Sequence, residues 1–148
     1  MKQRSKLYLV MGIIFVGICA YIVYNSFVNR SLIPEEKIIF LSADCTEQQG
    51  INGLYWSASV IIKNDGPSDL AVKKVYVDGS EIISKQPPPN DNEASMSISK
   101  EGGKLSPGET ATINIYIDFG YKNYKTFQRI QVSIETMYQK YSINVVLG

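Results

Sequence analysis

From Leu7 to Val28 the chain carries no charged side chain, and Lys2, Arg4 and Lys6 stand just before that run. As a helix rising about 1.5 Å per residue it would reach roughly 33 Å, enough to cross a hydrocarbon core of about 30 Å. Tyr8 near one end and Tyr21, Tyr24 and Phe27 near the other place amphipathic rings at headgroup level. Leu7, Tyr8, Tyr21, Tyr24 and Phe27 thus bracket an expected membrane anchor. The basic residues on the short side predict a cytoplasmic N-terminus, with everything from Arg30 onward outside. The expected plan is a basic tail over 1–6, a transmembrane helix over 7–28, a linker over 29–36 and an extracytoplasmic domain over 37–148.

A cleaved secretory signal is the alternative. The triplet Ile18-Cys19-Ala20 permits cleavage after Ala20. Against it, the apolar run continues to Val28 with no breaker, as in an anchor. Cys19 also invites a lipidation reading, but Ile18 is bulky where such sites take Gly, Ala or Ser. The retained anchor is the reading these residues favour.

All 14 acidic residues follow Arg30, whereas four of the 15 basic ones, Lys2, Arg4, Lys6 and Arg30, do not. The outer part is therefore mildly acidic and has no electrostatic footprint for nucleic acid. The chain has no histidine. That removes the commonest general base, the usual metal ligand and the physiological pH switch. Of the two cysteines, Cys19 lies inside the apolar run and Cys45 in the outer domain, so they cannot pair within one chain. The domain must be held by packing.

The outer sequence repeats with period two. Leu54, Trp56, Ala58, Val60 and Ile62 alternate with Tyr55, Ser57, Ser59, Ile61 and Lys63. The same holds for Ala111, Ile113, Ile115 and Ile117, for Ile130, Val132 and Ile134, and for Tyr141, Ile143, Val145 and Leu147. Half-buried strands give this pattern. Turn chemistry separates the strands. Asn64-Asp65-Gly66-Pro67 breaks the chain, Asp78-Gly79 signals a two-residue hairpin, and Ser106-Pro107-Gly108-Glu109 starts the next strand. Lys73-Lys74 interrupts an alternation and predicts a bulge or a twisted edge. With Lys37–Ala43 as the first, there are about seven strands, and Met96–Lys100 is a candidate eighth. The expected fold is all-β, an immunoglobulin-like antiparallel sandwich behind one N-terminal transmembrane helix. Gln86 to Ser95, with three prolines and an Asn/Asp cluster, is expected to be an exposed loop.

The order W-x-A-x-V-x-I-x-N-x-G (Trp56 to Gly66), V-Y-V-D-G (Val75 to Gly79), L-S-P-G-E-T (Leu105 to Thr110) and the closing V-S-I-E-T to Y-S-I-N-V-V-L (Val132 to Leu147) resembles the outer β-domains of archaeal cell-surface proteins. These include archaeal pilins, archaellins and the membrane-anchored stator proteins of the archaellum. The resemblance spans about Lys37 to Leu147 and implies a surface domain working with a filament, motor or lattice. Ser5-Lys6-Leu7 departs from pilin processing sites, which place a small residue where Lys6 stands. That favours an unprocessed accessory protein over a pilin, and the resemblance carries over no functional residues.

Tyr121-Lys122-Asn123-Tyr124-Lys125-Thr126-Phe127 interleaves aromatic and basic residues. Outside a cell this is either a protein or glycan contact or a loop whose rings cover the end of the sandwich. Tyr121, Tyr124 and Phe127 are the first candidates for partner binding. Pro88 and Asp91, in the Pro87–Glu93 loop, are the second, because end loops carry recognition on such scaffolds. Asp65, Asp69, Asp78 and Asn90–Glu93 offer oxygens for Ca²⁺, but lack the spacing of a twelve-residue calcium loop and read more simply as turn formers. Trp56 is expected in the core and Cys45 as a buried, inert thiol, with an intermolecular disulfide as the alternative. Asn29-Arg30-Ser31 matches a glycosylation acceptor against the membrane. No phosphate loop, nucleophile elbow or Cys/His metal pattern is present, so no active site, cofactor or small-molecule substrate is expected. The expected partners are the membrane and envelope proteins, with self-association as a further option. The expectation is thus a non-catalytic envelope protein, with a secreted filament subunit as the alternative; a viral membrane protein fits the same architecture.

Overall fold

The computed structural model describes the backbone of residues 2–32 and 34–148. The side chains of residues 1–5, 7, 9 and 29–33 lie outside the described residues, and with them the expected roles of Lys2, Arg4, Leu7 and Asn29-Arg30-Ser31. Two compact units divide at Pro34 and Glu35.

The first unit is one helix, α1 (Lys2–Leu32). It runs past Val28, and its stretch Val10–Val28 is long and apolar enough to cross a membrane. Its described side chains from Val10 to Phe27 are exposed, with no polar face to separate them from solvent. A helix that is apolar all round does not suit water.

The second unit is built of strands β1 (Ile38–Gln49), β2 (Leu54–Asn64), β3 (Leu70–Ala71), β4 (Lys74–Val77), β5 (Ser80–Ser84), β6 (Ala94–Ile98), β7 (Lys104–Leu105), β8 (Thr110–Asp118), β9 (Arg129–Glu135) and β10 (Lys140–Val146). Eight of them form one sheet in the order β1-β2-β8-β6-β5-β4-β9-β10, while β3 and β7 make a separate ribbon. The sheet curls until β1 approaches β10, so the domain is nearly barrel-shaped. This replaces the expected count of about seven strands. The ladders are antiparallel except one: β5 and β6 run parallel through Ile83↔Ser95 and Ser84↔Met96.

The period-two residues decide what lies inside. Trp56, Ala58, Val60 and Ile62 of β2 are buried, as are Ala111, Ile113, Ile115 and Ile117 of β8 and Ile130, Val132 and Ile134 of β9. Asp78-Gly79 closes the β4–β5 hairpin with φ of 45° and 80°, the left-handed pair a two-residue turn needs. In Ser106–Glu109 the Glu109 N–H donates to Ser106 O at 3.0 Å, with Gly108 at φ 82°.

Three local expectations change. The expected bulge or twisted edge at Lys73-Lys74 is a strand switch: β3 pairs with β7, and β4 with β9. The bulge that forms lies in β1, between Phe40 and Ser42. Ala94 and Ser95, expected in the exposed loop, belong to β6 and are buried. Within that loop Pro89 is also buried.

At the end where the chain enters this unit, two buried polar side chains are held by hydrogen bonds. Fully buried Asn64 donates from Nδ2 to Ser68 O at 2.8 Å and Leu105 O at 3.1 Å, and its Oδ1 accepts from Gly66 N at 3.0 Å. Gly66 is needed there, since a Cβ would sit 2.9 Å from both Glu35 O and Lys37 N. Buried Glu36 accepts a short hydrogen bond from the Thr136 hydroxyl, and Tyr141 OH donates to Glu36 O at 3.0 Å.

Candidate functional site

The opposite, far end gathers both candidate loops. The Asp78-Gly79 turn supplies its polar centre. Asp78 Oδ2 accepts from Tyr124 OH at 2.6 Å and Oδ1 from Gln131 N at 2.7 Å. Lys122 Nζ reaches back to donate to Val77 O at 3.1 Å. Tyr124 is therefore a lid, only 8% exposed. Burial, and then the Asp78 carboxylate, push its phenol well above the usual value of 10.0. Tyr121 is half-buried, edge-on to Tyr124 with centroids 5.9 Å apart, and the Lys122 ammonium lies 5.5 Å above its ring. Tyr124 thus covers the end of the fold and offers no ring to a partner.

Phe127 is the opposite case. It is 81% exposed, and its backbone holds φ at 64°. A large L-residue in the left-handed region costs of order 1–2 kcal/mol. The conformation is pinned by its N–H donating to Leu147 O at 2.6 Å and by Leu147 N–H donating to Gln128 O at 3.0 Å.

The second loop reaches the first. Asp118 Oδ2 accepts from Asn92 N and from Gly120 N, each at 2.8 Å, which ties the Pro87–Glu93 loop to the turn after β8. Glu93 braces that loop by accepting from Asn90 N at 2.8 Å and Lys85 Nζ at 3.0 Å. These bonds, the Asn90 N–H first, hold its carboxyl below the ordinary range. Pro88 packs on the β1–β2 turn, where a Cβ on Gly50 would lie 2.9 Å from Pro88 Cβ. Asp91 is exposed at the loop tip.

That β1–β2 turn holds the residue sequence reasoning missed. Ile51 is 94% exposed, in a turn closed by Gly50 N–H donating to Gly53 O at 2.7 Å. The available signal was a lone isoleucine inside Gly50-Ile51-Asn52-Gly53, where turn chemistry asks for polar residues. Ile51, Pro88, Tyr121 and Phe127 thus belong to three loops of one end, with Asp91 beside them.

The other singled-out residues have structural places. Trp56 is 1% exposed and stacks on Phe119 with centroids 4.1 Å apart. Its Nε1 has no partner among the described residues. Cys45 is half-buried on β1, and burial raises its thiol. Asp65 pairs with Lys37 at 2.9 Å. Among the described residues no three His, Cys, Asp or Glu side chains gather as a metal site. No protein-family model matches this chain, and no curated protein matches it.

Proposed function

We propose that this is a single-pass, membrane-anchored envelope protein whose β-domain binds another surface component without catalysis. The observation that carries the reading is the far end: Phe127 and Ile51 stand in solvent on loops whose backbones are tied down. Strain kept at an exposed ring is the kind of cost that function explains. Large apolar side chains on a braced end also make a low-entropy contact. A filament, motor component or surface-layer lattice, as in the archaeal proteins this chain resembles, is the class of partner. Lys2, Arg4 and Lys6 support a cytoplasmic N-terminus. The strand order supports an immunoglobulin-like sandwich as the finer description. β1-β2-β8-β6 follows one face order of that fold and β5-β4-β9-β10 the other, joined only by the short parallel pair.

The test is co-purification from crosslinked envelopes. Phe127→Ser with Ile51→Ser should leave the chain folded and anchored while lowering recovery of its main crosslinked partner at least about tenfold, the cost of losing apolar anchors. Unchanged recovery would reject this surface.

A second reading keeps the domain and changes the N-terminus. β1 and β10 end the sheet order and approach each other without pairing, which leaves backbone groups for an added strand. Cleavage after Ala20 would free Tyr21–Val28 as such a strand for the next subunit, and head-to-tail addition builds a filament. An intact native mass that includes residues up to Ala20 supports the anchor, whereas a mature chain starting at Tyr21 supports the filament.

A further inference from the structure

Two tight hairpins in this domain are built from opposite chemistry. The far-end turn uses Asp78-Gly79, as turn geometry favours. The β9–β10 turn uses Met137 and Tyr138, closed by Thr136 N–H donating to Gln139 O at 2.9 Å. Thr136 Oγ1 braces it further, accepting from Gln139 N at 3.1 Å while its own proton goes to Glu36. Two large residues at a tip that polar residues fill more easily leave Met137 70% and Tyr138 46% exposed. The location is specific. Thr136 holds the Glu36 carboxylate, and Tyr141, at the start of β10, holds Glu36 O. The turn is thus fastened to the point where the chain enters the domain. Only Ile33, Pro34 and Glu35 separate Glu36 from Leu32, the last helical residue. Four residue steps reach about 14 Å at most. Exposed Lys73 and Lys140 flank the turn, Lys73 through its N–H to Glu135 O at 2.8 Å and Lys140 over the Tyr76 ring at 4.0 Å.

We propose that Met137 and Tyr138 dip into the bilayer surface, the thioether among the upper acyl chains and the phenol at headgroup level. Lys73 and Lys140, on the residues that flank the turn, supply the cations for headgroup phosphates. Tyrosine prefers this depth because its ring is apolar and its hydroxyl is wet, and lysine stems reach outward from it. The occupant is lipid. The inference rests on the reading of residues 7–28 as a membrane span.

The test uses the full chain in phosphatidylcholine vesicles, with and without lipid brominated near the top of its acyl chains. Tyr138→Trp and, separately, Met137→Trp add an emitter at the turn, and the unsubstituted chain supplies the Trp56 baseline. Ile51→Trp is the control, because β2, of 11 residues, separates the two ends by roughly 35 Å. The added emission at 137 or 138 should fall by about half or more, since interfacial groups lie ~5–10 Å into the headgroup boundary. The Ile51→Trp signal should not change. Carbonate washing of the same vesicles separates the two readings. Retention with no quenching at either turn position overturns this inference alone, and so does equal quenching at position 51. Release by carbonate removes the anchor and this inference together.

Discussion

Asn64 and Tyr124 close opposite ends of one β-domain, the first with an amide and the second with a ring. At the entry end, Asn64 satisfies both of its polar atoms on Ser68, Leu105 and Gly66, and Glu36 is held by Thr136. At the far end one phenol reaches Asp78, while Ile51 and Phe127 are left outside. The buried amide tolerates no loosening, because each freed polar group keeps its desolvation cost. The far end asks less of its outer residues, so its surface can change without loss of the fold. That is the physical separation a binding domain needs.

The largest test of this contrast lies beneath the far end. Trp56→Ala removes a fully buried ring stacked on Phe119 and should cost about 3–5 kcal/mol. Tyr55→Ala, on the other face of β2, should cost less, about 1–2 kcal/mol. Its half-buried ring lies edge-on to Tyr116, with centroids 6.3 Å apart, and beside Gly50. Urea denaturation of the purified chain reads both. Equal losses would mean that the outer face is as closed as the inner one.

The entry end comes next. Asn64→Ala strands Ser68 O, Leu105 O and Gly66 N together and should cost about 2–4 kcal/mol. Its neighbour Asp65, paired with Lys37 on an exposed surface, should be near neutral when replaced by Asn. If Asn64→Ala costs no more than Asp65→Asn, the entry end is not locked by its amide.

Much of this contrast was hidden in the sequence, for a physical reason that differs by residue. The inward phase of β2, β8 and β9 was legible because side-chain period alone sets it. So was the Asp78-Gly79 turn, whose chemistry is local. For Tyr124 the sequence left lid and partner contact both open, and the lid is what forms; the choice was not local, since its partner Asp78 is far away in the chain and its neighbours Lys122 and Lys125 look solvated. The switch at Val72–Lys73 looks like a bulge or twisted edge in the sequence because Leu70–Val72 and Val75–Val77 alternate alike. Which partner each strand takes, β7 or β9, is decided across the fold. Glu36 falls in the expected linker, because nothing local tells a clasped carboxylate from a free one. Ile51 had a local signal, an apolar residue in a glycine turn, that period-two reading passes over.

The smallest expected effect is also the most selective, because it separates lid from surface within a single loop. Tyr124→Phe keeps the ring and removes only the hydroxyl, leaving Asp78 Oδ2 without that donor, and should cost about 1–2 kcal/mol at neutral pH. Its pH dependence has a definite sign. The folded phenol titrates above its unfolded value of 10.0, so the folded state holds the proton longer. The stabilisation is complete below pH 10 and is lost as pH rises through the folded value. Urea midpoints of the unsubstituted chain should therefore fall between pH 9.5 and 11, and Tyr124→Phe should flatten part of that fall. Tyr76 and Tyr141, raised in the same direction by Glu135 and by burial respectively, contribute to what remains, as do Lys37, Lys74 and Cys45, raised by Asp65, by Glu81 and by burial. Phe127→Ser, in contrast, should move stability by about 0.5 kcal/mol or less at any pH, since its ring touches solvent and relief of φ strain offsets lost contact. If Phe127→Ser destabilises as much as Tyr124→Phe, the exposed ring belongs to the lid and the far end loses its free surface.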